Sequence, residues 1–335
     1  MEILALISAG IIAAAILGYV LLDGFDLGTG ILFPFAPDGR SRNIMMNSVA
    51  PVWDGNETWL VLGGGGLMVF FPLVYSIALS AFYIPVMLML FALIFRGVAF
   101  EFRHQADTST HLWSASFFGG SLIAAFMQGV LVGALVQGVR VDGLHYSGGM
   151  FDWLSPFTVL TGLGTVVGYG LLGATWLILK TEGDLQAWAR RAALVLAGGV
   201  LIAMAAVSVL TPFLRPAIAD RWFSGINLVF LFPIPVVTAL LAAWLFYVIL
   251  SGRELAPFAS SIGLFVLGFA GIGISLYPHI IPPDITIYDA IAPRSSVIFA
   301  MVGVVLVLPM VLGYTWYAYS VFRGKATEHG GYGGE

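Results

Sequence analysis

Residues 21–60 read LLDGFDLGTGILFPFAPDGRSRNIMMNSVAPVWDGNETWL. They set four carboxyl groups, Asp23, Asp26, Asp54 and Glu57, into apolar segments long enough to lie in a bilayer. An ionisable side chain at membrane depth costs about 2.5–3.5 kcal/mol on insertion scales, so such residues usually face a partner, a cavity or a proton path. Each pair is spaced i, i+3, which places its two side chains on one helix face. Two such helices packed side by side would bring the four acids onto one polar seam. The seam reads as a proton relay or a polar cofactor pocket, because burial changes the proton affinity of a carboxyl group. The competing reading is a set of helix-end acids that serve packing alone, with Glu57, nearest an interface, the least engaged. Trp53 and Trp59 either wall the seam or belong to an interfacial belt, the commoner role for tryptophan.

Composition fixes the class around that stretch. Of 335 residues 59% are hydrophobic and 10% charged, against roughly 25% charged in a soluble domain, which indicates a polytopic membrane protein. The net charge of −4 says little about partners, because orientation follows where Lys and Arg lie and not the total; nucleic acid is not expected as a partner. With no cysteine, the chain itself holds no disulfide, thiolate-ligated haem, iron–sulfur cluster or cysteine-based zinc site. The amino terminus opens Met-Glu without a basic region, and its apolar run continues to about residue 35. That is too long for the core of a signal peptide and reads as a retained first helix.

A span needs about 20 mostly apolar residues. By that measure the fold is all-α with nine transmembrane helices, near 3–34, 51–75, 79–99, 114–138, 156–180, 190–212, 226–250, 256–278 and 294–321. Phe71-Pro72 supplies the break between the second and third. Residues 1–322 read as one transmembrane domain and 323–335 as a short, glycine-rich cytoplasmic tail, disordered by composition. The loops after helices one, three, five and seven, with the tail, carry Arg40, Arg42, Arg96, Arg103, Lys180, Arg190, Arg191, Arg253, Arg323 and Lys325. Arg140, Arg215, Arg221 and Arg294 fall on the other side. By the positive-inside rule the tail is cytoplasmic and the amino terminus periplasmic, which places all four acids toward the cytoplasm. Gly24-x-x-x-Gly28 and the run Gly63 to Gly66 are expected to let helices one and two approach closely.

Helix three ends FRGVAFEFRHQ, with Arg96 and Arg103 seven apart and Glu101 and His104 beside them. Arg103 and His104 read as cytoplasmic anchors, whereas Arg96 follows an apolar run and needs a counter-ion, for which an acid of the seam is suited. His104, His111, His145, His279 and His329 lie at helix ends, in loops or in the tail. A bis-histidine haem buried by this chain alone is therefore not expected. Methionines such as Met68 and Met87 read as apolar filling. The loop 281–294 reads as an ordered external turn without chemistry.

Three stretches carry a resemblance: Asp23-Gly24-Phe25-Asp26-Leu27-Gly28, the run Asn47-Ser48-Val49-Ala50-Pro51-Val52-Trp53-Asp54-Gly55-Asn56-Glu57-Thr58-Trp59-Leu60, and Phe95-Arg96-Gly97-Val98-Ala99-Phe100-Glu101-Phe102-Arg103. In order through three helices, they resemble the second subunit of the cytochrome bd family of quinol oxidases, its cyanide-insensitive branch included. Beyond residue 110 only hydropathy and spacing agree. The resemblance implies a heterodimer of the bacterial cytoplasmic membrane and its aerobic respiratory chain. A larger subunit I carries haems b and d, oxidises quinol and reduces dioxygen to water. The second subunit ligates no haem, supports its partner and supplies a proton path from the cytoplasm.

Within that frame Asp54 and Asp26 match the family's intramembrane acids, Asp23 and Glu57 join them in the path, and Arg96, Trp53, Glu101 and Arg103 support the seam. The resemblance also leaves room for a structural quinone in this subunit, for small single-helix accessory subunits and for bound membrane lipid. A proton-coupled secondary transporter and a purely structural assembly subunit are the alternatives. Buried acids and glycine-interrupted helices also suit alternating access.

Overall fold

The computed structural model describes residues 1–106 and 108–328, His104 in its backbone only. Apolar composition sends the segments into lipid, where each backbone polar group must be satisfied within its own segment, so the spans are helices. In chain order they are α1 (Glu2–Leu32), α2 (Gly39–Val49), α3 (Trp53–Phe70), α4 (Pro72–Ala81), α5 (Tyr83–Gln105), α6 (Thr110–Gln137) and α7 (Pro156–Lys180). There follow α8 (Gly183–Leu214), α9 (Pro216–Phe223), α10 (Gly225–Leu231), α11 (Pro233–Leu250), α12 (Leu255–Leu276), α13 (Ile287–Ala290) and α14 (Arg294–Val321). A single 3-10 turn at Phe33–Phe35 and two short antiparallel hairpins, β1 (Val141–Asp142) with β2 (His145–Tyr146) and β3 (His279–Ile281) with β4 (Ile285–Thr286), complete the elements of the described residues.

Among the described residues eight helical stretches are long and apolar enough to cross a membrane, or nine if the bent pair α3–α4 counts as one span. The bend is the main departure from the expected spans. Pro72 has no N–H to donate and ends α3 at Phe70, and α4 leaves at 119°. Residues 72–81 therefore form a separate helix rather than the end of one span and the start of the next. The Phe70 carbonyl accepts from the Ala292 amide at 2.9 Å. The segment 279–292, expected as an external turn, thus closes over the break, with Ile281, Ile285, Ile287, Ala290 and Ala292 buried. A second unexpected element is α2, started by Asp38, whose carboxylate accepts from the Ser41 amide at 2.7 Å. Bonds from Ser41 hold the Asp38 carboxyl below its usual range.

At the centre of the bundle α7 has 67% of its most apolar stretch buried, against 6% for the outlying α14, which packs along α3. The predicted close approach of α1 is made toward α7, not α3. A Cβ on Gly28 would overlap the Tyr169 backbone, and one on Gly173 would overlap that of Gly28. Of the run Gly63 to Gly66, Gly63 and Gly66 touch α1 side chains, while a Cβ on Gly64 or Gly65 would meet nothing within 4 Å.

The tail departs from the expected disorder as far as Glu328. Lys180 Nζ donates to the carbonyls of Phe322 and Gly324, and Asn47 Nδ2 to those of Thr327 and Glu328. Lys325 Nζ lies 2.8 Å from Glu254 Oε2, and the Ala326 amide donates to the Lys180 carbonyl. These contacts clasp the ends of α2, α7 and α12 together. Residues 329–335, with His329, lie outside the described residues.

Candidate functional site

Three helices bring the buried charges together. Asp23 sits nine residues before the end of α1, and Arg96 nine residues before the end of α5. Arg96 Nη1 donates to Asp23 Oδ1 at 2.6 Å, with neither side chain accessible. Arg96 Nη2 donates to Glu57 Oε2 at 3.0 Å, and the Glu57 side chain keeps 27% of its surface exposed. One guanidinium thus holds two carboxyl groups on its two terminal nitrogens, a use that its planar fork suits. Arg96 was expected to need an acid of the seam, and it has two. It had been grouped with the loop arginines by sequence, but it lies inside α5 as part of this network. Gly120 on α6 makes room for it, since a Cβ there would come within 3.0 Å of the Arg96 amide.

Asp26, one turn further along α1, is 1% exposed and is held differently. Its Oδ2 accepts from Asn56 Nδ2 at 2.7 Å, and the Tyr319 hydroxyl of α14 donates to Asn56 Oδ1 at 2.9 Å. A matching arm approaches Asp23. Tyr169 of α7 donates to Gln128 Oε1 at 2.6 Å, and Gln128 Nε2 donates to the Tyr19 hydroxyl at 2.9 Å. Tyr19 lies one turn before Asp23 on α1. The first arm ends in a hydrogen bond to Asp26, and the second ends at the Tyr19 hydroxyl, one turn from Asp23. Asp23 Oδ2, Asp26 Oδ1, Arg96 Nε and the indole nitrogens of Trp53 and Trp59 are buried without a partner among the described residues. Buried polar atoms in that state are where internal water or exchanging protons are sought.

Not every expected member joins. Asp54 lies in the first turn of α3 on its exposed side, so three of the four acids share the buried site and the fourth faces outward. Spacing of i, i+3 leaves about 60° between two side chains, enough to put Glu57 on the inner edge and Asp54 on the outer. Trp53 is a wall, its ring stacked on Phe100 at 4.8 Å and the Arg96 guanidinium 5.8 Å from its centre. Trp59 is buried against Gly18. Arg103 stands two turns from Arg96, bonded to Asn43 at 2.9 Å and Ser114 at 3.1 Å and lying over the Phe33 ring, so it ties α5 to α2 and α6 rather than joining the seam. Glu101 is exposed and outside the network. Sequence reading missed Asn56, Tyr19, Gln128, Tyr169 and Tyr319. The lone amide Gln128 within an apolar span and the spacing of Tyr19 from Asp23 were the available signals.

Among the described residues no group of three or more His, Asp and Glu side chains is arranged to hold a metal. Two open cavities, of about 420 and 380 Å³, lie away from the acids around Tyr83 and Gln137. No polar side chain lining them is both buried and free, Trp153 donating to the Met150 carbonyl. They do not fit a quinone held by buried donors, and no quinone is assigned to this chain.

One guanidinium cannot balance three carboxylates, and an uncompensated buried charge costs several kcal/mol. Taking up and releasing protons is the chemistry that this arrangement offers. Comparison with known proteins agrees with the fold. The chain is 32% identical to the cytochrome bd-I ubiquinol oxidase subunit 2 of Escherichia coli K12, covering 98% of this chain and 96% of the relative. It is 30% identical to the cytochrome bd ubiquinol oxidase subunit 2 of Bacillus subtilis 168, over 95% of each. The bd oxidase structure from Geobacillus thermodenitrificans shares the fold with a TM-score of 0.79 at 18% identity, over 96% of this chain and 99% of that one. With bacterial relatives of this kind and its row of apolar helices, it is a multi-pass protein of the bacterial inner membrane. A family model described as cytochrome bd terminal oxidase subunit II matches residues 4–322, and the chain belongs to that family.

Proposed function

We propose that the chain is the haem-free second subunit of a quinol:dioxygen oxidoreductase, bracing a larger haem-bearing subunit I and passing protons from the cytoplasm toward its oxygen-reducing site. Membership of the family makes it part of an oxidoreductase complex that reduces oxygen, and its relatives' names specify ubiquinol. The observation that carries the reading is the buried set of Asp23, Asp26 and Glu57 around Arg96. It lies in the half of the bundle nearer the tail, the end that the positive-inside rule makes cytoplasmic. Nine of the chain's basic residues still mark that end once Arg96 is set aside.

The haems and the quinol-oxidising segment belong to subunit I, and no step assigned to this chain passes through them. Its own residues hold and move protons at the carboxyl oxygens of Asp23, Asp26 and Glu57, with Asp54 on the outer edge of α3. Purifying the tagged chain in mild detergent tests the assignment. A larger subunit with haem d absorbance should accompany it, and a haem-free chain purified alone from oxygen-respiring membranes contradicts it. A purely structural role is favoured by the Asp23–Arg96 pair, which crosses from α1 to α5 with no exposure. A double substitution at Asp26 and Asp54 that abolishes assembly, with turnover per assembled complex unchanged, supports that second reading.

A further inference from the structure

We propose that Glu57 is the junction at which the buried acids exchange protons with the outer edge of α3. The inference rests on the proton-path reading and names the residue that controls access to it. Asp23 and Arg96 have no accessible side-chain surface and Asp26 is 1% exposed, whereas Glu57 reaches the surface. It is also bonded to the guanidinium that holds Asp23. The charged groups facing it are Arg96 from α5, Asp23 from α1 and Asp54 on its own helix. Asp54, one turn before it and exposed, stands on the outer edge of α3 in the first turn of the helix.

The two hydrogen-bonded arms, toward α14 and α7, offer no relay of their own. Each has an amide in its middle, Asn56 between Tyr319 and Asp26 and Gln128 between Tyr169 and Tyr19. A carboxamide donates from nitrogen and accepts at oxygen but carries no proton that it readily gives up. Such an arm orients a carboxylate and does not relay. Asn56 and Gln128 are positioning residues that hold Asp26 and Tyr19 while leaving Glu57 as the member able to load and unload. In the transfer a proton taken up at the edge of α3 neutralises the Glu57 carboxylate and then passes to an aspartate carboxylate, so that Glu57 ionises again as the aspartate is neutralised.

Reaction of the wild-type complex with dicyclohexylcarbodiimide, which traps protonated carboxyl groups in apolar surroundings, tests this without a substitution. Peptide mass spectrometry should find the adduct on Glu57 forming at least tenfold faster than on Asp23 or Asp26, and equal or reversed rates overturn the proposal. Glu57→Gln keeps an acceptor for Arg96 but cannot carry a proton. Infrared spectra of the complex in D2O should show exchange of the buried carboxyl C=O band slowed at least tenfold in this variant and restored in Glu57→Asp. Exchange at the wild-type rate in Glu57→Gln overturns the proposal as well. Full turnover in Asp26→Asn, by contrast, removes the proton-path reading while leaving the labelling order of Glu57 standing.

Discussion

Arg96 and Asp23 meet at 2.6 Å with both side chains wholly withdrawn from solvent, joining α5 to α1 in the half of the bundle nearer the tail. Removing one partner of such a pair leaves a bare buried charge, at a cost of about 3–5 kcal/mol. Arg96→Leu is expected to lose most of the assembled complex, measured as haem-bearing material on size exclusion. Arg96→Lys keeps the charge but offers Asp23 and Glu57 no planar fork, and should recover only part. Combining Arg96→Leu with Asp23→Leu should cost less than the two single substitutions added together, which a double-mutant cycle of thermal midpoints measures.

Backbone contact between α1 and α7 gives a second expectation. A Cβ at Gly28 has only the Tyr169 and Gly173 backbones to displace, so Gly28→Ala should destabilise the chain by about 3 kcal/mol, at the upper end of ordinary overpacking. Gly64→Ala, where a Cβ meets nothing within 4 Å, should leave the isolated subunit's thermal midpoint unchanged. Equal effects in the two variants contradict the packing described.

At the tail, bonds from Lys325 and then Gln186 hold the Glu254 carboxyl below its ordinary 4.5. A carboxyl with a lowered folded-state pKa contributes stability that is present above its unfolded value and fades as pH falls through the folded one. Lys325→Ala should therefore make the tail more readily cleaved by protease at neutral pH. That difference should shrink below about pH 4.5 as Glu254 is protonated in both proteins. A difference that grows on acidification contradicts the latch.

Much of this architecture was legible because lipid imposes one rule on every segment. The fifth and ninth spans match α7 and α14, each bounded by Pro, Lys or Arg, and the acids within α1 stood out against an apolar background. The α3–α4 bend was legible as a break at Phe71-Pro72 but not as a turn of 119°, and the segment around Ala292 that bonds to the break is distant in sequence. Asp54 was misplaced for a related reason. Spacing says that Asp54 and Glu57 share a face, but which edge of the face meets α1 is decided by tertiary packing. Neutral partners were the least legible of all. Asn56 and Tyr319 lie 263 positions apart in sequence and meet at 2.9 Å, a pairing that no local pattern announces.

Loss of the Tyr319 hydroxyl bears on the arm that holds Asp26. Tyr319→Phe removes one hydrogen bond to Asn56, worth about 1 kcal/mol, and should lower the thermal midpoint slightly while turnover falls less than in Asp26→Asn. A larger kinetic loss in Tyr319→Phe than in Asp26→Asn would make the tyrosine a relay and contradict the positioning role given to Asn56.

The central claim is that the buried acids serve turnover and not only packing. Its most direct test is quinol-driven oxygen consumption by the purified complex carrying Asp26→Asn, with the haem spectrum recorded on the same sample. An amide preserves the shape of the side chain and an oxygen for Asn56 to donate to. The account predicts an intact spectrum with consumption reduced about tenfold, a barrier increase of about 1.4 kcal/mol. An intact spectrum with undiminished consumption contradicts it.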